Sequence, residues 1–336
     1  MSVAENTHVG AKSRDLGLDF VKGFLVIVMA LYHAMNYFGE LPAEYYGYLR
    51  FVNGSFVFVA GYVVAEFYSD DLGRTRLSAL RRLASRGAKL LCLFTALNLA
   101  ISGLGLTNYR NVTFRVSDYL ANASSIYGSG DAPSAFRILV PISYVLLLSG
   151  LYLVSSRSRA MLIGLTIAAA LVYTFIEHRV APNVFFLLTG LVGLSFGLLK
   201  SAIPEHRVKS WPMIVIGFIA IASVMNDLSG NVLAYCGGIA LLLKLVYDGT
   251  WLLPKDSRLV EATVLLGKYS LVCYIGQITF LSLLHAAWRN FGVPPELKLA
   301  LAFFATCAFL LGTCALIAIL RRHSRFVEST YRLVFA

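Results

Sequence analysis

The chain has 336 residues, of which 58% are hydrophobic and 14% charged, and it carries a formal net charge of +11 with a mean hydropathy of +0.71. Soluble domains hold about 25% charged residues, so this composition excludes a water-soluble globular protein and points to a polytopic membrane protein. The positive surplus is accounted for by basic connections on the inner face of a bilayer and by their attraction to anionic lipid, and calls for no nucleic acid.

A short tail, residues 1–16, precedes the first of ten apolar runs, each near the 20 residues that a crossing helix needs. They cover 17–38, 48–68, 84–104, 136–154, 159–177, 182–200, 210–227, 231–251, 261–287 and 299–320. The predicted fold is therefore an all-α bundle of about ten transmembrane helices forming a single domain over 1–336. The first run is too long for a signal-peptide core and lacks a cleavage pattern, so it is expected to be retained. Most Lys and Arg, among them Arg74, Arg76, Arg81, Arg82, Arg86, Arg321 and Arg322, fall in connections that are inside if the N-terminus is inside. Both termini are thus expected in the cytoplasm.

The first run reads LDFVKGFLVIVMALYH and plants Asp19, Lys22 and His33 in hydrocarbon. Ionisable groups there are costly and need work or partners. Lys22 and His33 are three helical turns apart, so they share a face with about 16 Å of rise between them. Asp19 precedes Lys22 by one turn on the same stripe. The stripe reads as a polar track, although an ion pair at i, i+3 would by itself explain Asp19 and Lys22.

Where the third run meets the cytoplasm, RRLASRGAKLL gathers Arg81, Arg82, Arg86 and Lys89. This cluster satisfies the positive-inside rule and would equally hold an anionic ligand. The longest polar connection, about 105–135, lies on the outer side. Its two sequons, at Asn111 and Asn122, read as chance occurrences, and its length predicts a lid or an acceptor-binding segment. It closes in YGSGDAPSAFRILVP, a turn leading to Arg137 at the outer start of the fourth run, with Tyr144 one step further in. Gln277 lies in the ninth run. Cys92, Cys236, Cys273, Cys307 and Cys314 all fall in apolar runs with no C-x-x-C and no Cys/His ligand spacing. Neither a disulfide framework nor a metal site is predicted.

These stretches carry a family resemblance. RDLGLDFVKGFLVIVMALYH resembles the first-helix signature of the membrane acyltransferase-3 family, LD-x-x-R-G followed eleven positions after the Arg by His. SFVFVAGYVVAEFY is similar to its FF-x-x-SG-[YF] stretch, RRLASRGAKLL to its basic segment, and LLGKYSLVCYIGQ to its LG-x-x-S-x-x-x-Y-x-x-H stretch. RDLGLDF, SFVFVAGYVVAEFY and ILVPISYVLLL resemble most closely the branch that succinylates periplasmic glucans. Two positions depart from the pattern: Lys22 stands where the family usually has Arg, and Gln277 where many members have a second His.

The resemblance implies an O-acyltransferase of the bacterial inner membrane that moves an acetyl or succinyl group from cytoplasmic acyl-CoA to a hydroxyl of an envelope or secreted glycan. A sugar hydroxyl must lose its proton as it attacks a thioester, and a base of pKa near 7 suits that step, which is the role His33 takes here. Arg81, Arg82, Arg86 and Lys89 would hold the coenzyme's phosphates, and the pantetheine arm would run along the Asp19, Lys22 and His33 stripe. Tyr144, Gln277 and Arg137 are the candidate substrate contacts. Two other classes remain open at this point: a transporter or flippase using the Asp/Lys/His path, and a scaffold that has lost activity through the changes at 22 and 277. Nothing in the sequence points to an oligomeric state.

Overall fold

A carboxylate fixes where the first helix starts. The Leu18 amide donates to Asp15 Oδ1 at 3.1 Å, an N-cap that satisfies one of the orphan donors of α1, Leu16–Phe38. The computed structural model describes residues 15–39, 43–68, 76–103, 115–155, 158–175, 181–199, 208, 210–254, 257–288 and 294–335. The N-terminal tail before Asp15, the sequon at Asn111 and the first part of the 105–135 connection lie outside the described residues.

After α1 come a short α2 (Ala43–Gly47), α3 (Phe51–Tyr68), α4 (Arg76–Gly103), α5 (Val116–Ala121), α6 (Leu139–Ser155), α7 (Arg159–Phe175) and α8 (Pro182–Leu199). They are followed by α9 (Trp211–Val224), α10 (Val232–Gly249), α11 (Arg258–Lys268), α12 (Ser270–Trp288), α13 (Pro295–His323) and α14 (Arg325–Phe335). No strand occurs among the described residues. Seven helical stretches are long and apolar enough to cross a membrane: Leu16–Phe38, Tyr45–Phe67, Leu77–Gly103, Pro182–Leu199, Val232–Leu252, Ser270–Trp288 and Pro295–His323. Three shorter apolar helices, Leu139–Val154, Arg159–Phe175 and Trp211–Val224, stand at the other predicted runs. The chain is an all-helical integral membrane protein.

α1 is the central element. It packs on α3, α10, α11, α12 and α13, and Val21, Leu25, Val26, Met29, Ala30 and Ala34 are buried along it. Backbones that approach this closely in a membrane need small residues. A Cβ at Gly23 would overlap the Thr263 carbonyl, and one at Gly267 the Asp19 carbonyl. These two glycines therefore press α11 against the polar start of α1. The same device at Gly61, against the Gly190 carbonyl, and at Gly193, against the Phe58 carbonyl, locks α3 onto α8.

Three features differ from the sequence reading. The helix of the third run, α4, begins at Arg76, ahead of the expected start at 84, so the whole basic cluster rides on it. The ninth run is broken at Tyr269, which separates α11 from α12 and lets the polypeptide turn around the start of α1. The end of the 105–135 connection is packed into the bundle: Tyr119, Ile126 and Phe136 belong to the main apolar core with Phe94 and Leu139. Asn183 Nδ2 donates to the carbonyls of Ile126 (3.0 Å) and Tyr127 (3.1 Å), and the Tyr127 and Tyr119 hydroxyls lie 2.7 Å apart. Phe136 holds a φ of 54°, where bulky side chains rarely sit, at a cost of about 1–3 kcal/mol. Its ring packs 6.2 Å from that of Tyr274, and that burial holds the turn which delivers Arg137 and Ile138.

Candidate active site

The start of α1 turns a deep cavity toward α3, α4, α6 and α12. The cavity has a volume of about 820 Å³. Its charged lining is Asp15, Asp19 and Lys22 at the start of α1, Arg82, Arg86 and Lys89 in the first half of α4, Lys268 at the end of α11, and Arg321 near the end of α13. Its middle is apolar, with Phe56, Val59, Ala60 and Val63 of α3, Leu139, Ile142 and Leu146 of α6, and Leu271 of α12. At the cationic end Phe67, Arg82, Arg86 and Lys268 are exposed, whereas Leu90, Ile138, Leu139 and Tyr274 at the other end are buried. The space is thus a blind channel with a basic opening.

Helical spacing explains which members of the basic cluster take part. Arg82, Arg86 and Lys89 follow i, i+4, i+7 on one face of α4. Arg81, one residue out of phase, is exposed and does not line the cavity. Lys22 Nζ meets Asp19 Oδ1 at 2.6 Å, with the Asp19 side chain 3% exposed and that of Lys22 19%. The ion pair expected at i, i+3 is therefore present, and it stands in the wall of the same channel.

His33 does not line the cavity. It stands just beyond the blind end, its ring centroid 6.4 Å from that of Tyr274 and 5.5 Å from that of Tyr32. Tyr274 is the partition between them. Its hydroxyl meets the Ile138 backbone, and it interacts electrostatically with Arg137, Tyr37 and Tyr32, so Arg137 is gathered at this spot although it does not line the channel. One turn along α12, Gln277 is fully buried. Neither its amide oxygen nor its amide nitrogen has a hydrogen-bond partner, and the same holds for His33 Nε2. Buried polar groups are nearly always paired, so two such side chains beside one tyrosine mark a place with hydrogen-bonding capacity to spare.

Beyond His33 the seam between α1 and α12 stays polar. The Tyr37 hydroxyl and Ser282 Oγ are 2.7 Å apart, and His285 packs on Tyr37 and Phe38 with centroids 5.9 and 5.5 Å away. Tyr144 is engaged elsewhere: its hydroxyl donates to the Tyr127 carbonyl at 2.7 Å and braces the packed end of the outer connection. Among the described residues no group of three or more His, Cys, Asp or Glu could hold a metal ion.

Sequence reasoning passed over Tyr274, Lys268, Arg321 and Tyr331, all of which line the cavity. Tyr274 and Lys268 lie inside LLGKYSLVCYIGQ, so that motif held the signal. Arg321 and Tyr331 come from the far end of the chain and carry none.

The chain is thus a membrane-embedded helical bundle with a basic cavity that reaches a tyrosine beside an intramembrane histidine. The acyltransferase-3 family, described as an acyltransferase domain, matches residues 15–320, and the chain belongs to that family. It is an acyltransferase. No curated protein matches it, and no solved structure does.

Proposed function

We propose that the protein is a membrane O-acyltransferase of the bacterial inner membrane that transfers an acetyl or succinyl group from cytoplasmic acyl-CoA to a hydroxyl of an envelope or secreted glycan. The ten apolar helices would all cross, with both termini in the cytoplasm, following the distribution of Lys and Arg. One observation carries this reading: a single cavity whose open end is lined by Lys22, Arg82, Arg86, Lys89, Lys268 and Arg321 and whose blind end stops at Tyr274, against His33.

The division of lining suits the donor's chemistry. Phosphates need cations and hydrogen-bond donors, and Arg supplies both in a planar fork. A pantetheine arm is largely uncharged and fits the apolar middle between α3 and α6. The thioester then reaches Tyr274, and displacement of that ring brings it to His33. His33 Nε2 takes the proton of the acceptor hydroxyl as the oxygen attacks the thioester carbonyl. The tetrahedral intermediate collapses with cleavage of the C–S bond, and the leaving thiolate takes the proton back from the imidazolium, so the products are an O-acyl ester and free coenzyme A. In this reading Gln277, whose buried amide has no partner, donates to the carbonyl oxygen as charge develops there. Arg137 and the Tyr37, Ser282 and His285 seam offer the acceptor a polar approach from the opposite side.

Titration of purified protein with coenzyme A tests the donor half. Neutralising Arg82 and Arg86 together should weaken binding about tenfold or more, with the loss largest at low salt. An unchanged dissociation constant would return both residues to the topological role they also satisfy.

A further inference from the structure

The C-terminal helix is tied to the channel by an ion pair that no function yet described uses. α13 ends at Ser324, whose backbone is extended, and Ser324 Oγ accepts from the Val327 amide at 3.3 Å, which starts α14 in a new direction. Glu328, Tyr331 and Arg332 then share one face at i, i+3 and i+4. Tyr331 lines the cavity, and the Arg321 guanidinium lies 4.0 Å from its ring centroid and 5.7 Å from that of Tyr269. Arg321 donates to Glu328 twice, through Nε at 2.5 Å and Nη2 at 3.1 Å. Glu328 also accepts from Arg332 Nε at 2.6 Å, and Arg332 is 71% exposed.

One cavity-lining guanidinium is therefore already gripped, in bidentate fashion, by a carboxylate. Bidentate capture is the geometry in which Arg also binds phosphate. We propose that α14 is a resident competitor for the anionic end of the donor: Glu328 holds Arg321 while the channel is empty, and a phosphate group of the entering donor takes that guanidinium in its place. This rests on the reading of the cavity as an acyl-CoA site.

The surroundings fit an exchange better than a permanent strut. Glu328 keeps a second cation in Arg332, so releasing Arg321 does not strand a carboxylate. Arg321 stays clamped between two aromatic rings, so it keeps its place when its partner changes. A phosphate carries more negative charge than a carboxylate and accepts the same two bonds, so it wins when it arrives with the rest of the donor, while a lone weakly held anion does not. α14 thereby sets a threshold for occupancy of the basic opening.

Coenzyme A titrated into the full-length protein in lipid nanodiscs tests this. Glu328→Gln should tighten binding roughly three- to tenfold, and Arg332→Met, which leaves Glu328 wholly to Arg321, should weaken it roughly two- to threefold. Both changes should shrink at high salt. Pantetheine, which has no phosphate, should bind wild type and Glu328→Gln alike. A variant that merely damages the fold lowers affinity in both cases, so the opposite signs identify competition. If wild type binds coenzyme A and Glu328→Gln binds it equally or more weakly, the competitor role is overturned and the donor reading stands. If neither protein binds coenzyme A, the donor reading itself falls and this proposal falls with it.

Discussion

The two halves of α1 treat polarity in opposite ways. At its start every polar group described is matched: Asp15 caps the helix, and Lys22 meets Asp19 at 2.6 Å. In its second half, His33 Nε2 and both amide atoms of Gln277 across the seam on α12 are buried without a partner. A satisfied pair positions and recruits, since its energy is already realised in the resting protein. Unsatisfied groups are costly to keep, and they repay that cost when a substrate supplies the missing partner. In the proposed reaction the difference separates a docking end from a reacting half on one helix.

Charge removal at the docking end should produce the largest effect on folding. Lys22→Met removes the cation 2.6 Å from the buried Asp19 carboxylate, a change expected to cost about 3 kcal/mol, and adding Asp19→Asn should recover most of that loss. Stability would be read from thermal unfolding in detergent. If Lys22 also serves the donor, the double variant is stable yet slow, whereas Lys22→Arg keeps activity. Full activity in the double variant would make Lys22 only the partner of Asp19.

In the reacting half the expectation reverses. Gln277→Leu replaces an unpaired amide by an apolar group of similar shape, so stability should hold or rise while transfer falls about tenfold. A loss of stability with intact transfer would assign Gln277 to packing.

The smallest effect concerns the C-terminal helix. Hydrogen bonds from Arg321, then Arg332, hold the Glu328 carboxyl down to about 2 from its ordinary 4.5. Because the folded value is depressed, the contribution of Glu328 to docking α14 is complete above about 4.5 and is lost as the pH falls from there through about 2. Hydrogen exchange over 325–335 should therefore stay slow and unchanged between pH 5 and 7 after correction for intrinsic rates, by roughly the margin of error of the method. Loosening of α14 within that window would show that Glu328 does not carry the docking.

Much of this was legible in the sequence for one physical reason: helical periodicity acts within a single element. The Asp19 and Lys22 pair, the Arg82, Arg86 and Lys89 face and the apolar stretches all follow from spacing along one helix, whereas the expected stripe is interrupted, because His33 does not line the cavity that Lys22 lines. What stayed hidden depends on contacts between distant parts of the chain. Tyr269 sits in an apolar run with nothing but Gly267 to hint at a break, and it is the approach of Gly267 to the Asp19 carbonyl that makes the break useful. Phe136 adopts its left-handed backbone because Tyr274 receives its ring, a partner far along the chain. Arg321 looked like one more inside charge until α14 folded back and Tyr331 closed on it. Arg81 and Arg82 are neighbours in sequence, yet only the second faces the channel, a distinction set by where α6 packs on α4.

The central claim is that the donor's thioester is cleaved beside His33 through the channel that begins at Lys22. Release of free thiol from acetyl-CoA and from succinyl-CoA, measured on purified wild type and His33→Ala in the presence of an envelope glycan fraction, tests it most directly. Wild type should release coenzyme A with one of the two donors, and His33→Ala should be slower by roughly two to four orders of magnitude while binding coenzyme A with unchanged affinity. Equal rates of thiol release from the two proteins would contradict the account.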